Sequence, residues 1–555
     1  MSAPQSPHAP LRTGEPVDAL VIGAGFAGLY ALHALRDRLG LRTLVVEAGG
    51  DVGGTWYWNR YPGARCDSES HSYCYSFSEE LWRGWEWSER YPDHREIRRY
   101  LGYVADRLDL RRDIRFDTRV SGCRYDAAAN LWRVTTRTGE SLSARFLITA
   151  VGCLSTANIP RVPGLAEFTG AWYHTGEWPH AGVDFTGKRV GQIGTGSTGI
   201  QAAPVIAETA AHLTVFQRTA NYSVPARNQP LTDAFKAWIR DNRDEVRRVT
   251  RSTLNGHPFT IDDLSVHDVT EAELRAILDR AWARGGLQFR ANFRDVMLDE
   301  SANARLADYI KDRIRETVKD PATAGALADI DHPYAAKRPP IDTGYFETFN
   351  RDNVDLVDVR ADPVARITPT GIALESGREI ALDVIVFATG FDAMTGPLMG
   401  LGIEGAGGRT LARDWADGPR TYLGLQVAGF PNLFTITGPG SPSVLCNMPV
   451  CIEQHVDWIA DCIAYMRANG LSRVDTTEPA MERWGAEVAR AAAATLLARV
   501  RHSWYLGANV PGKPRVFMPY AGGMTRYRDH CAGVAAAGYD GFVFDRVAAA
   551  AAAAS

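Results

Sequence analysis

Three absences narrow this 555-residue chain before any motif is read. No apolar run approaches the roughly eighteen residues of a membrane span, and the opening MSAPQSPHAPLRTGEPVD lacks the apolar segment of an export signal. Charge of one sign is not in surplus: 61 Lys and Arg stand against 65 Asp and Glu, so there is no basic excess for nucleic acid or anionic lipid. The eight cysteines are scattered, and the closest pairs, Cys66 with Cys74 and Cys446 with Cys451, lack the CxxC spacing of a redox dithiol or a zinc site. A disulfide reductase and a metal centre are therefore disfavoured, and the thiols are expected to be reduced and buried. What remains is a cytoplasmic chain, a monomer or weak homo-oligomer, with small-molecule partners. At 45% hydrophobic and 23% charged residues its length allows two or three domains with a large core.

Two glycine turns organise what is present. DALVIGAGFAGLYALHAL reads as a strand running into Gly23-x-Gly25-x-x-Gly28 and then a helix, a turn whose backbone can approach a pyrophosphate at the positive helix end. The next strand, LRTLVVE, ends in Glu47, an acid placed to accept the ribose hydroxyls of an adenosine. A second strand, turn and helix, KRVGQIGTGSTGIQAAPVIAETA, carries Gly194, Thr195, Gly196, Ser197 and Gly199. Its following strand ends in Gln217-Arg218, where a binder of unphosphorylated NAD would carry an acid; a guanidinium suits a ribose 2′-phosphate, the alternative being a solvated arginine at a strand end. One turn followed by Glu and one by Arg argue for FAD plus NADPH.

Between the turns, GGDVGGTWYWNRYPGARCDSES is glycine-rich and aromatic, a composition that a planar ligand such as a flavin ring would cover. The stretch FTGAWYHTGEWP, Phe168 to Pro179, reads as a turn-rich connector too interrupted for a buried helix or strand, a hinge between the two cofactors. Helical periodicity dominates 225–333, where Leu306, Tyr309, Ile310, Ile314 and Val318 mark one apolar face, read as core. Lys337-Arg338 then sits before Pro339-Pro340; two adjacent cations on an extended segment point to different sides, and alone such a pair is usually solvated.

The order Phe168-x-Gly170-x-x-x-His174-x-x-x-Trp178-Pro179, set between the two glycine turns, resembles the fingerprint of the type I Baeyer–Villiger monooxygenases. The resemblance runs from about Pro16 to Asp545. It implies an α/β fold of two Rossmann-like dinucleotide-binding domains with a helical insertion: FAD over 17–155 and 390–545, NADPH over 156–224 and 334–389, the insertion over 225–333, a polar arm at 1–16 and an alanine-rich tail at 546–555. It implies insertion of one oxygen atom of O2 beside a ketone carbonyl, through a flavin C4a-peroxide, to give an ester or lactone, with a side activity on sulfides. Gly53, Gly54, Thr55, Trp56 and Tyr61 would contact the flavin, Met448 would be cofactor-binding, Lys337 would approach the NADPH 2′-phosphate, and Arg338, with Asp67 facing the reactive flavin edge, would serve the chemistry. Asp67 read by itself defaults to a turn or cap role. Cys153, Leu154, Ser443, Val444, Leu445, Trp504 and Met518 would border the substrate pocket, although Trp504 as plain core is an equal reading. Cys153 replaces a glutamine-like residue expected there, and Pro339-Pro340 stiffens the segment behind Arg338, so pocket size and shape stay open. A flavin-dependent N- or S-oxygenase shares both turns and is the alternative.

Overall fold

The computed structural model describes residues 15–500 and 502–546, so the start of the expected arm and the alanine tail lie outside it. Two sheets carry the architecture. The first has the order 403–404, 120–126, 131–136, 141–149, 17–22, 43–46, 114–115, with Leu433–Thr435 added beside Ser141–Thr149. Its centre is parallel: Val17–Ile22 runs alongside both Thr43–Val46 and Ser141–Thr149, while the outer hairpins are antiparallel. Val17–Ile22 is VDALVI, apolar along almost its whole length because helices and loops cover both of its faces.

The second sheet is wholly parallel, in the order Val354–Asp358, His212–Gln217, Arg189–Ile193, Val384–Phe387, Ala171–His174. Its last strand overturns the connector expectation. Residues 171–174 of the fingerprint pair with 384–387, Ala171 opposite Val384 and His174 opposite Phe387. Four residues are too few for a period to be read from sequence, and only the tertiary partner makes them a strand. Gly170 packs against this junction so closely that a Cβ would lie 2.4 Å from the Asp383 carbonyl oxygen.

Helices Asp233–Asp241, Arg243–Ser252, Glu271–Arg284, Glu300–Thr317 and Pro321–Ala328 fill the interval read as helical. Leu306, Tyr309, Ile310, Ile314 and Val318 are all buried, as a core stripe requires. The 21-residue helix Met448–Ala468 packs on Phe26–His33 beneath the first glycine turn. All eight cysteines are free and buried.

Candidate active site

The first glycine turn is closed by its neighbours. Gly23 has φ +106°, and a Cβ on Gly28 would lie 1.7 Å from the Gly23 carbonyl oxygen, so the helix start seats directly on the strand end. Glu47 braces it: Oε2 accepts from the Ala24 amide at 2.6 Å and Oε1 from the Gly49 amide at 2.7 Å. Burial raises the Glu47 pKa, against those two amide bonds. The sequence reading assigned this acid to ribose alone; the fold shows it also holding the turn, with lone pairs left for a hydroxyl. Gly25 and Gly54 approach each other closely, and Trp56 Nε1 is buried with no hydrogen-bond partner, a donor a flavin group would satisfy.

The second turn is open. A Cβ on Gly196 would meet nothing within 4 Å, and Thr195, Gly196 and Ser197, at the start of helix Ser197–Thr209, face a cavity of about 1250 Å³. Arg218 and Lys337 line the same cavity, and among the described residues neither makes a hydrogen bond or a close ion pair, the Asp331 charge acting on Lys337 only from farther off. Burial and the charge of Arg218 lower the Lys337 pKa. Two cations that repel each other across an open space fit a phosphate, and the residues present therefore fit both nucleotides.

That cavity reaches from the second turn to Thr55, Trp56, Tyr61, Asp67 and Met448. At its wall the Arg338 guanidinium clasps Asp67 with two hydrogen bonds, Nε to Oδ2 at 2.8 Å and Nη2 to Oδ1 at 2.5 Å, while Nη1 donates to the Val444 carbonyl at 3.2 Å. Burial works against the Arg338 charge, but Asp67 more than offsets it and the pKa rises; Asp67, opposed by burial and favoured by Arg338, falls below the usual carboxylate range. The turn role for Asp67 gives way to an ion pair. Two guanidinium N–H groups remain unspent. His257, buried beside this pair, is driven to about 3 by burial and by Arg290 and Arg338, and stays neutral.

The expected pocket residues divide. Leu154, Val444 and Trp504 line the cavity, while Cys153, Ser443 and Met518 stand buried behind it and Leu445 packs beside them. Tyr61 lines the cavity and also crosses the lobes, its hydroxyl donating to Gln201 Oε1 at 2.8 Å. The fingerprint lines no part of the cavity. His174 is 2% exposed, its Nδ1 accepting from the Gly176 amide at 3.0 Å and its ring edge on Phe391 at 5.9 Å. Its ring contact joins the sheet edge to Phe391, which follows Ala388-Thr389-Gly390 and lines the cavity with them. Gln201 and His257 were missed in the sequence, where a lone polar residue in a helical or aromatic stretch gives no signal.

The open cavity between the lobes is joined at its far rim by a segment pinned in place. Asn509 Nδ2 donates to the Phe391 carbonyl at 2.8 Å, and Asn158 Nδ2 donates to the Asn509 carbonyl at 3.1 Å.

Comparisons with known proteins supply the family. Residues 18–229 match a family described as flavin-binding monooxygenase-like. A Baeyer–Villiger monooxygenase of Pseudooceanicola batsensis is 44% identical over 96% of this chain and 97% of its own length. A phenazine N-monooxygenase of Lysobacter antibioticus is 42% identical over 95% of this chain and 96% of its own. The solved structure of an oxidized steroid monooxygenase bound to NADP is 51% identical, covers 96% of this chain and 100% of its own, and superimposes with a TM-score of 0.91.

Proposed function

We infer the residue roles from one premise: this chain belongs to the Baeyer–Villiger monooxygenases within the flavin-binding monooxygenase-like family, enzymes that use FAD and NADPH to insert oxygen beside a ketone carbonyl and give an ester or lactone. The observation that carries the assignment of roles is the Arg338–Asp67 pair on the wall of a cavity shared by both nucleotide sites. Gly23, Gly25, Gly28, Glu47, Gly54, Thr55, Trp56 and Met448 would hold FAD, and Gly194 to Ser197, Arg218 and Lys337 would hold NADPH. Bound FAD, reduced by NADPH, supplies the oxygen atom from O2.

The chain's part is electrostatic. Oxygen insertion builds negative charge on an oxygen before the ester forms. A fixed cation about 4 Å from such a charge, at an effective dielectric of about 20, is worth about 4 kcal/mol, or roughly three decades in rate. Arg338 supplies that cation through its two unspent N–H groups. Asp67 orients the guanidinium and holds it charged. His257, kept neutral, adds no competing charge. Leu154, Val444 and Trp504 give the apolar wall that receives the ketone and excludes water. Among the described residues no helix is long and apolar enough to cross a membrane, which supports a cytoplasmic enzyme.

A panel of cyclic, aryl and linear ketones, with products identified and hydrogen peroxide measured, tests this reading; ester formed in step with NADPH consumption is the expected result. The likeness to a phenazine N-monooxygenase favours N-oxygenation as a second reading. Product from an amine or sulfide with none from any ketone would move the assignment there.

A further inference from the structure

Lys337 and Arg338 ride on one short strap. Residues 334–342, YAAKRPPID, are buried except at these two cations, which line the cavity. Pro339 and Pro340 have no N–H, so the middle of the strap cannot donate to a neighbouring strand. Side chains hold its two ends. At the first, Asn303 on helix Glu300–Thr317 is 1% exposed and takes both backbone groups of Tyr334: Oδ1 accepts from the amide at 2.8 Å and Nδ2 donates to the carbonyl at 2.9 Å. The same Nδ2 donates to the Val296 carbonyl at 2.8 Å, so both of its protons are used. At the second end, buried Asp342 accepts through Oδ1 from the Gly344 amide at 3.1 Å and the Tyr345 amide at 3.2 Å, and through Oδ2 from the buried Ser223 hydroxyl. Ser223 precedes Val224–Pro225, which pairs parallel with Ile341–Asp342, and the Ala226 amide donates to the Asp342 carbonyl at 2.8 Å. Arg218 lies upstream of Ser223 in that same segment.

None of Asn303, Ser223 and Asp342 lines the cavity, so each acts on it only through the chain. Their bonds go to backbone groups and to one another, which fixes where a segment lies rather than what charge it carries. We propose that Asn303 and Asp342, the latter with Ser223, are positioning residues that set where Lys337 and Arg338 stand at the cavity wall. Because Ser223 belongs to the Arg218 segment, the second anchor also sets the spacing of Lys337 from Arg218. The two-bond clasp of Arg338 on Asp67 is sensitive to such placement, since a shift of about 1 Å in a reacting group can cost about a hundredfold in rate. This inference rests on the roles given above to Lys337 and Arg338.

The test uses the FAD-loaded enzyme and reads ratios, which loss of folded protein does not alter. In Asp342→Ala the ester formed per NADPH oxidised should fall about tenfold or more, with hydrogen peroxide making up the difference. Calorimetric titration should show NADP+ binding weakened about tenfold, the factor of one charge-assisted contact, and NAD+ binding unchanged. Asn303→Ala should act in the same direction from the other end of the strap. Asp342→Asn keeps an acceptor for both amides and can donate to Ser223, so it should restore both ratios. A lower melting temperature in the two alanine variants, with wild-type coupling and wild-type preference for NADP+, would overturn the positioning role and leave a plain stabilising contact. Should Asp342→Ala fail to fold, Ser223→Ala removes a single hydroxyl and should lower the same two ratios; wild-type values there would overturn the second anchor. If the wild-type enzyme gave no ester from any ketone, the oxygenation reading would fall while the NADP+ titration still judged the anchors.

Discussion

The two glycine turns share one spacing and differ in almost everything around it. At the first, Gly28 is jammed against Gly23, Glu47 spends both oxygens on backbone amides, and Gly25 touches Gly54. At the second, Gly196 faces open space and two cations line it without a hydrogen bond or close ion pair among the described residues. A closed, braced turn suits a cofactor that stays through every turnover. An open turn with unpaired charge suits one that must enter and leave, because its charges are compensated only while the ligand is bound. Identical motifs therefore describe a resident and a visitor, and the surroundings distinguish them.

The sharpest way to break this contrast is to add one methyl group to each turn. Gly28→Ala places a Cβ 1.7 Å from a backbone oxygen and should abolish flavin retention, read as the flavin absorbance of purified protein. Gly196→Ala, with nothing near and an ordinary φ of −78°, should leave flavin content intact and change the NADPH KM only slightly. Similar behaviour of the two variants would end the comparison.

Next in size is Arg338→Ala, at the place where the two sites meet. Ester formation should drop by about three decades while NADPH oxidation continues, with hydrogen peroxide as the product. Normal ester yield would refute the cation's role. The visitor's side is sharpened by Arg218→Ala and Lys337→Ala. Each removes a charge-assisted contact worth about 1.5–3 kcal/mol, so the NADPH KM should rise roughly tenfold or more, with little change for NADH. A parallel rise for both nucleotides would show that the 2′-phosphate is held elsewhere.

The smallest effect concerns His174, at the edge of the second sheet. Burial lowers its pKa to about 4, against about 6.5 in an unfolded chain. Between those values the unfolded state binds the extra proton, so this contribution to stability is full above pH 6.5 and is lost as the pH falls toward 4. The shift corresponds to about 3 kcal/mol at most. Thermal melts of wild type and His174→Asn across that window should converge as the pH falls; a constant gap would show that His174 does not titrate with unfolding.

Much of the fold was legible because its signals are local. A strand entering G-x-G-x-x-G and leaving as a helix needs only neighbouring residues, and the stripe of Leu306, Ile310 and Ile314 declares a buried helix face by spacing alone. The site was legible by type but not by arrangement. Arg338 and Asp67 could be named as reacting partners only through resemblance, since 271 positions separate them. Cys153, Ser443 and Met518 belong to the pocket region, yet which side chain forms the surface and which stands behind it depends on packing at the scale of single atoms. The fingerprint misled for the opposite reason: four residues carry too short a pattern to declare a strand whose partner lies more than two hundred positions away.

By itself the sequence determined two nucleotide-binding turns, the acid after one and the arginine after the other, and the amphipathic helices between them, because each depends on residues within a few turns of chain. Only the tertiary structure decided that Asp67 meets Arg338, that Tyr61 reaches Gln201 across the lobes, and that Ser223 meets Asp342. Charges and hydroxyls acquire partners, or lack them, according to what folding brings within a few ångströms, and that choice is written in no local stretch of residues.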